Sequence, residues 1–403
     1  MGRGALCYYT HMSFCKSVEI AVSIEHNRGW GRTVCEGIAA FAQAHPEWHL
    51  TMMPQSVRRA SSLERFDGFI WCISDEHTAQ ILRATGKPVV DLFAQDFASD
   101  MVSIGTDHAA CGRLAAQTFI SQHFANFAYL GWKGLTFSDR KQKPYVEELR
   151  REGRKCHIYL SRAMTMPGYL DRHVRNEQLA IPSDARAIGR WVSRLPKPVA
   201  VFCANDFRAW QLAEICRLNE IRIPGDVAIL GADNDPVPCL FTSIPISSIE
   251  PDALATGFRA AELIDGMLGG HEPECRRIRL APAGVERRGS TAVYPVDPPW
   301  LADVLQHIRA DVSKSLTAED IAAFVGKSYS MVEKVFKRVL GTTVQREIMS
   351  ARLDVAEYLL KATTLPVADV AERSGFKSPQ YFNRSFAARH GVSPGEWRMK
   401  HLR

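Results

Sequence analysis

The chain has 403 residues, 46% hydrophobic and 23% charged, which is more than one hydrophobic core serves, so two or three globular domains are expected. No stretch approaches the roughly 18 uninterrupted apolar residues of a membrane span, and the N-terminus lacks the apolar core and cleavage site of an export signal, which predicts a cytoplasmic protein without membrane contact. Ten cysteines with no CxxC pair and no matching histidine spacing argue against a disulfide framework and against zinc; neither a metal nor a cofactor is expected.

The net charge of +6 is uneven. Leu301–Arg403 holds 16 Lys and Arg against 11 Asp and Glu, leaving the rest close to neutral. A locally basic module joined to a neutral one suits a polyanion binder attached to a sensor.

An irregular leader is expected over 1–17. From Val18 the apolar run VEIAVSI, the turn EHNRGWGR and the helical spacing of Val34, Ile38, Phe41 and Ala42 read as strand, loop and helix. The unit recurs through FDGFIWCI, PVVDLF, VSIGTD, FAYLGW, HIYL, PVAVFCAND and VAILGAD, with helices between them such as FRAWQLAEICRLN. Alternation of this kind implies parallel sheets covered on both faces, with ligands at the carboxyl ends of the strands. The sensing domain is expected over 18–285. Residues 286–300, rich in proline, read as a linker, and 301–403 as an all-helical domain.

In that last domain LTAEDIAAFVG begins with a capping Thr and ends at Gly326, and SYSMVEKVFKRVLG follows with Val332, Val335, Phe336 and Val339 on one face and Lys334, Lys337 and Arg338 elsewhere. The same form returns in VADVAERSG and FKSPQYFNRSFAARHG, with Ser328 and Ser378 equivalent. The helix between them, about eighteen residues or roughly 27 Å, suits two recognition helices about one DNA turn apart. Gly375 permits a turn, Phe376, Phe382 and Phe386 form a small core, and Pro394 starts a last helix.

These hundred residues resemble the AraC/XylS family, whose signature VADVAERSGFKSPQYFNRSFAARHGVSPGEWR reproduces almost position for position. The resemblance implies that Tyr329, Met331 and Lys334, with Lys337 beside them, and Lys377, Ser378, Gln380 and Asn383 face base edges or nearby phosphates of double-stranded operator DNA. Arg384 and Arg389 are expected to hold phosphates.

The first part resembles the periplasmic-binding-protein-like sensor of the LacI/GalR regulators, on VSIGTDHAACGRLAA, VAVFCANDFRAWQLAEICRLNEIRIPGDVAILGADND and SIEPDALATGFRAAELI. It implies two Rossmann-like α/β lobes and nominates Asp107, Asn205, Asp206 and Asp233 as ligand contacts. Carboxylates, Arg and Asn suit sugar hydroxyls, and aromatic faces cover C–H surface. Trp30 and Trp132 are placed for that, and Arg28 and Arg208 join the candidates. Where the family has an Arg, SDRKQKPYVEEL offers Lys141, with Arg140 as substitute; Lys lacks the planar fork of Arg. The acids and amides have a second reading, as helix caps.

The pairing of such a sensor with a C-terminal AraC-type reader implies a pentose such as D-xylose as effector, activation of catabolic genes, a homodimer and RNA polymerase as a possible partner. Three other readings compete: a non-sugar ligand or protein effector, a transporter's solute-binding protein, and an enzyme built around Cys203. The last lacks a His base near its strand.

Overall fold

The computed structural model describes residues 17–57, 59–162, 165–174, 182–310, 312 and 316–401. The expected leader lies, except for Ser17, outside the described residues.

The chain begins with β1 (Val18–Ser23), α1 (Gly29–Gln43), β2 (Trp48–Met52), β3 (Gly68–Trp71), α2 (Glu76–Ala84), β4 (Val89–Asp91) and β5 (Val102–Thr106). It continues with α3 (His108–Ser121), β6 (Asn126–Trp132), α4 (Thr136–Arg151), β7 (Cys156–Ser161), α5 (Met166–Val174), α6 (Ala185–Arg194), β8 (Val199–Cys203), α7 (Asp206–Leu218), β9 (Val227–Ala232) and α8 (Pro236–Leu240). Next come β10 (Ser247–Glu250), α9 (Ala253–Leu268), β11 (Arg277–Leu280) and β12 (Gly284–Glu286). The reader follows as α10 (Trp300–Ala310), α11 (Ala318–Phe324), α12 (Tyr329–Leu340), α13 (Val344–Ala362), α14 (Val367–Arg373), α15 (Pro379–His390) and α16 (Pro394–His401).

Two six-stranded sheets result, ordered β11-β5-β4-β3-β1-β2 and β12-β10-β9-β8-β6-β7. The pairs are parallel except β10 with β12. Strands β8 and β9 are buried at every position, as continuous apolar runs covered on both faces must be. Each sheet anchors its own lobe.

The first lobe contains residues up to Asp107, Thr165–Val174 and Asp252–Leu280. Helices α1 and α9 touch backbone to backbone there. A side chain at Gly37 would stand 2.1 Å from the Leu254 carbonyl oxygen, and one at Gly257 would stand 2.0 Å from that of Val34. Helix α1 starts at Gly29, inside the stretch expected as a turn, because Gly31 lets its first turn close onto the Glu25 carbonyl. Trp30 therefore sits on a helix and not in a loop.

The second lobe and the reader form the other compact unit, comprising His108–Met164, Arg175–Pro251 and Ala281–Arg403. The reader has two cores, and α13 serves both. Its Ile348 and Ala351 join Ile321, Val332 and Phe336, whereas Leu353, Ala356 and Leu360 join Phe376, Phe382, Phe386 and Trp397. Thr317 and Asp320 close a capping box on α11, and Ser328 and Ser378 cap α12 and α15 by accepting from Met331 N and Tyr381 N.

Residues 286–300 do not run as free chain. The Ser290 hydroxyl donates to Ile229 O at 2.6 Å and accepts from Ser247 N at 2.8 Å. Thr291 shares a 2.6 Å bond with Ser247 Oγ, and its carbonyl accepts from Gln122 Nε2 at 2.8 Å. Tyr294 and Val296 then pack into the first core of the reader. The segment is a seam: buried hydroxyls satisfied within the sensor, then apolar side chains buried in the next domain.

Gly375 and Gly391 both adopt left-handed backbone, φ +81 and +74. A side chain at 391 meets open space, whereas one at 375 would lie 2.0 Å from Val312 O. Gly391→Ala is expected to cost about 1 kcal/mol and Gly375→Ala clearly more, from backbone strain plus displaced chain. Urea denaturation of the two variants measures the difference; equal costs would contradict the close approach.

Candidate functional site

The outward faces of α12 and α15 carry the residues expected to read DNA. Tyr329, Met331, Lys334, Lys337, Lys377, Gln380, Asn383 and Arg384 are all exposed, and Lys334, Lys337, Lys377 and Arg384 have no internal ion pair among the described residues. Exposed long cations without internal partners on two helices of the same kind suit a polyanion. Tyr381 is exposed to 45%, as much as Met331 at 46%. It belongs on this surface, and sequence reasoning placed it only within the family signature; its position two residues before Asn383, outside the Phe382 and Phe386 stripe, was the available signal.

Two expected DNA contacts have other duties. Ser378 Oγ accepts from Tyr381 N at 3.4 Å as the cap of α15 and donates to Gln380 Oε1 at 2.9 Å. Arg389 reaches back to α13. Its guanidinium donates to Ser350 O at 3.2 Å, pairs with Asp354 Oδ1 at 2.7 Å and lies 3.4 Å from Glu357 Oε1. Two carboxylates and a carbonyl engage the fork, so it clamps α15 to α13 while its side chain stays 37% exposed.

In the second lobe the strand ends carry a connected polar set. Lys141, on α4 and only 1% exposed, donates to Ala204 O at 2.9 Å and pairs with Asp233 Oδ1 at 3.4 Å. Asp233 has φ +102, and its side chain is 30% exposed. Asp206 lies beneath it, fully buried. Its carboxylate accepts from Ser248 Oγ at 2.6 Å and from Asp235 N at 2.8 Å. Burial and the neighbouring Asp233 push its pKa well above the carboxylate range. Asp206 thus holds the loop that presents Asp233, and the expectation that it touches ligand is replaced by this positioning role. Asn205, equally buried, caps α7 through Arg208 N at 3.0 Å; the cap reading holds for it. The half-buried Arg140 neighbours Lys141 on α4.

A second group stands on the same lobe. The Arg208 guanidinium lies 4.8 Å from the Trp132 ring centroid, donates to Gln211 Oε1 at 2.8 Å and to Ser161 Oγ, and approaches Asp184 Oδ2 at 3.7 Å. A buried cation stacked on an indole and fixed on its other side is a rigid platform.

In the first lobe, Arg28 Nε pairs with Glu25 Oε2 at 2.9 Å while its guanidinium lies 4.4 Å from the Tyr169 ring. A cavity of about 570 Å³ opens at the strand ends there, lined by Glu25, Asn27, Gln55, Ser74 and Asp75 among others. Of these none was singled out from sequence; they follow β1, β2 and β3, where parallel-sheet topology puts ligands. Trp30 packs beside Phe93, ring centroids 6.4 Å apart, and Asp107 lies half-buried after β5, its N–H donating to Leu280 O at 2.7 Å.

The Cys203 thiol is buried in β8, and burial pushes its pKa far up, the state of an inert core sulfur. Among the described residues no group of three His, Cys, Asp or Glu converges as a metal site, and no helix is long and apolar enough to cross a membrane.

Comparison with known proteins agrees with this division. Residues 116–291 match a periplasmic binding protein-like domain, and residues 321–400 match a helix-turn-helix domain. The chain is 24% identical to the xylose operon regulatory protein of Escherichia coli K12 over 96% of its own length and 98% of that protein's. It is 22% identical to the protein of that name from Haemophilus influenzae, over 94% and 98%. The reader alone is 42% identical over 88 residues to the transcriptional activator NphR of Rhodococcus, 22% of this chain and 26% of that one. A solved structure of the xylose-binding transcription activator xylR superposes with a TM-score of 0.59 at 23% identity, covering 96% of this chain and 99% of the other. The chain accordingly joins a periplasmic-binding-protein-like domain of two α/β lobes to a C-terminal helix-turn-helix DNA-binding domain.

Proposed function

We propose that this regulator is controlled by a small sugar, a pentose such as D-xylose, and that it activates genes of sugar catabolism as a cytoplasmic homodimer on tandem operator half-sites, with RNA polymerase as a further partner. The observation that carries the sugar reading is the Lys141–Asp233 pair. Burying an ammonium group costs several kcal/mol unless it is matched, and here the match orients a carboxylate that stays partly exposed at a strand end. Carboxylates accept from sugar hydroxyls, and the stack of Arg208 on Trp132 stands on the same lobe. Relatives named for the xylose operon share nearly the full length of the chain, which supports a pentose over a hexose.

Control follows from linkage. A sugar bound more tightly by one arrangement of the sensor shifts the population toward it, and operator affinity changes by the same coupling.

Titration of the full chain with D-xylose, D-ribose, L-arabinose and D-glucose, followed by tryptophan fluorescence, is expected to show saturation with a pentose. Lys141→Met should weaken that binding at least tenfold, about 1.4 kcal/mol. A flat response to every sugar would remove the sugar from the reading while leaving the reader intact.

On DNA, Arg384→Ala is expected to lower affinity for all duplexes and to reduce the salt slope by about 1, whereas Gln380→Ala should change base preference at one position. Fluorescence anisotropy across a salt series separates the two. Arg389→Ala should instead lower the melting temperature, by about 1–3 kcal/mol of lost stability, because Asp354 and Glu357 lose a shared partner; an unchanged melt with a reduced salt slope would return Arg389 to the phosphates.

A further inference from the structure

Helix α3 starts at His108, the residue after Asp107, and its 14 residues span about 21 Å. Its far end lies against the seam. Gln122, 2% exposed, donates to Thr291 O at 2.8 Å, and His123 follows in left-handed backbone at φ +62. Tyr294, three residues beyond Thr291 on the seam, has its ring centroid 6.0 Å from the guanidinium of Arg309.

Arg309 is the hub on the reader side. From α10 it donates to Glu347 Oε1 at 3.0 Å and to Asp354 Oδ2 at 2.8 Å. The two acceptors stand seven residues apart, on one face of α13 two turns from each other. Asp354 then uses its other oxygen to hold Arg389 of α15 at 2.7 Å, and Glu357 holds both Arg389, at 3.4 Å, and His390, at 2.9 Å. A continuous line of charged bonds therefore runs from Arg309, beside the seam at Tyr294, to the helix that carries Gln380, Asn383 and Arg384.

Such a line transmits geometry. A planar fork satisfied by two carboxylates has one good arrangement, and displacing it by an ångström breaks a bond instead of stretching it. Any shift of the seam at Tyr294 against α10 must be taken up at Arg309. Asp354, shared with Arg389, passes it to α15.

We infer that Arg309 is a positioning residue for operator recognition: through Asp354 and Arg389 it ties the set of the second recognition helix to the seam at Tyr294, and so carries effector binding to DNA affinity. This rests on the reading of the chain as an effector-controlled DNA binder. Arg309 touches neither the DNA-facing surface nor the polar sets of the sensor, so its replacement separates coupling from binding.

The test uses the full chain, D-xylose, and a duplex selected by the wild-type chain from a random pool. Duplex affinity is measured by anisotropy with and without sugar, and sugar affinity by tryptophan fluorescence. For the wild type, sugar should change duplex affinity at least fivefold. Arg309→Met should bind D-xylose within twofold of wild type and the sugar-free duplex within about threefold, while the ratio of duplex affinities with and without sugar falls to within twofold of one. A variant that keeps the wild-type ratio overturns the proposal. If Arg309→Met loses its cooperative melt, Arg309→Lys decides, since it keeps the charge but reaches only one carboxylate: an intermediate ratio supports the tie and a wild-type ratio overturns it. A wild-type chain that binds sugar and duplex with no change in ratio would sink the effector-controlled reading, and this proposal with it.

Discussion

Control of DNA binding by a distant domain requires that the chain between the two have no slack, and the bonds of Ser290 and Thr291 remove it. Two buried hydroxyls anchored to Ile229 O and Ser247 fasten the exit of the chain to the central strands of the second sheet. Three residues further on, Tyr294 is already in the core of the reader. A flexible linker of the same length would let the reader sample many orientations, and a ligand's differential binding energy would be lost in that freedom. A proline-rich stretch reads as a linker from composition, yet here its prolines follow a segment whose hydroxyls are buried and satisfied.

The second lobe applies the same principle to its polar set. Asp206 is placed where no water reaches, under a position that must be glycine, since a side chain at Gly231 would stand 2.1 Å from its Oδ1. What the carboxylate gains there is local: one hydroxyl and one backbone N–H, which fix the turn at Asp235 and leave Asp233 in a left-handed conformation facing Lys141. A strained residue held by its surroundings is a common way to fix a binding group beforehand, because the strain is borne in folding and not at the moment of binding.

Much of this was legible in the sequence. Apolar runs located the strands, the capping Thr, the equivalent serines and the helical spacing located both helix-turn-helix units, and the glycine at 375 announced its turn. Side-chain destinations were less legible. Asn205, Asp206 and Asp233 sit within one sequence motif and look alike as polar residues after strands, yet one caps a helix, one is a buried strut and one is partly exposed; the difference comes from Ser248 and Gly231, on strands brought alongside only by folding. Arg389 has the same difficulty: on a basic helix it reads as a phosphate contact, and only α13, with Asp354 and Glu357, claims it. Glu25, Gln55 and Ser74 went unnoticed because each stands alone in its own segment and they converge only at the ends of separate strands.

The choice of ion pairs over apolar packing at the hub has a physical reason. Replacing a buried ion pair by well-packed hydrophobic groups often leaves stability unchanged or raises it, so Arg309 with Glu347 and Asp354 is poorly explained as a stabilising device. An apolar seam attracts without direction and lets surfaces slide past one another at little cost. A guanidinium between two carboxylates is directional, and each alternative position leaves a charge unmatched in a poorly solvated site. The hub therefore favours a few discrete arrangements over a continuum, which is the property a domain must have if a small displacement on one side is to become a different set of the recognition helix on the other.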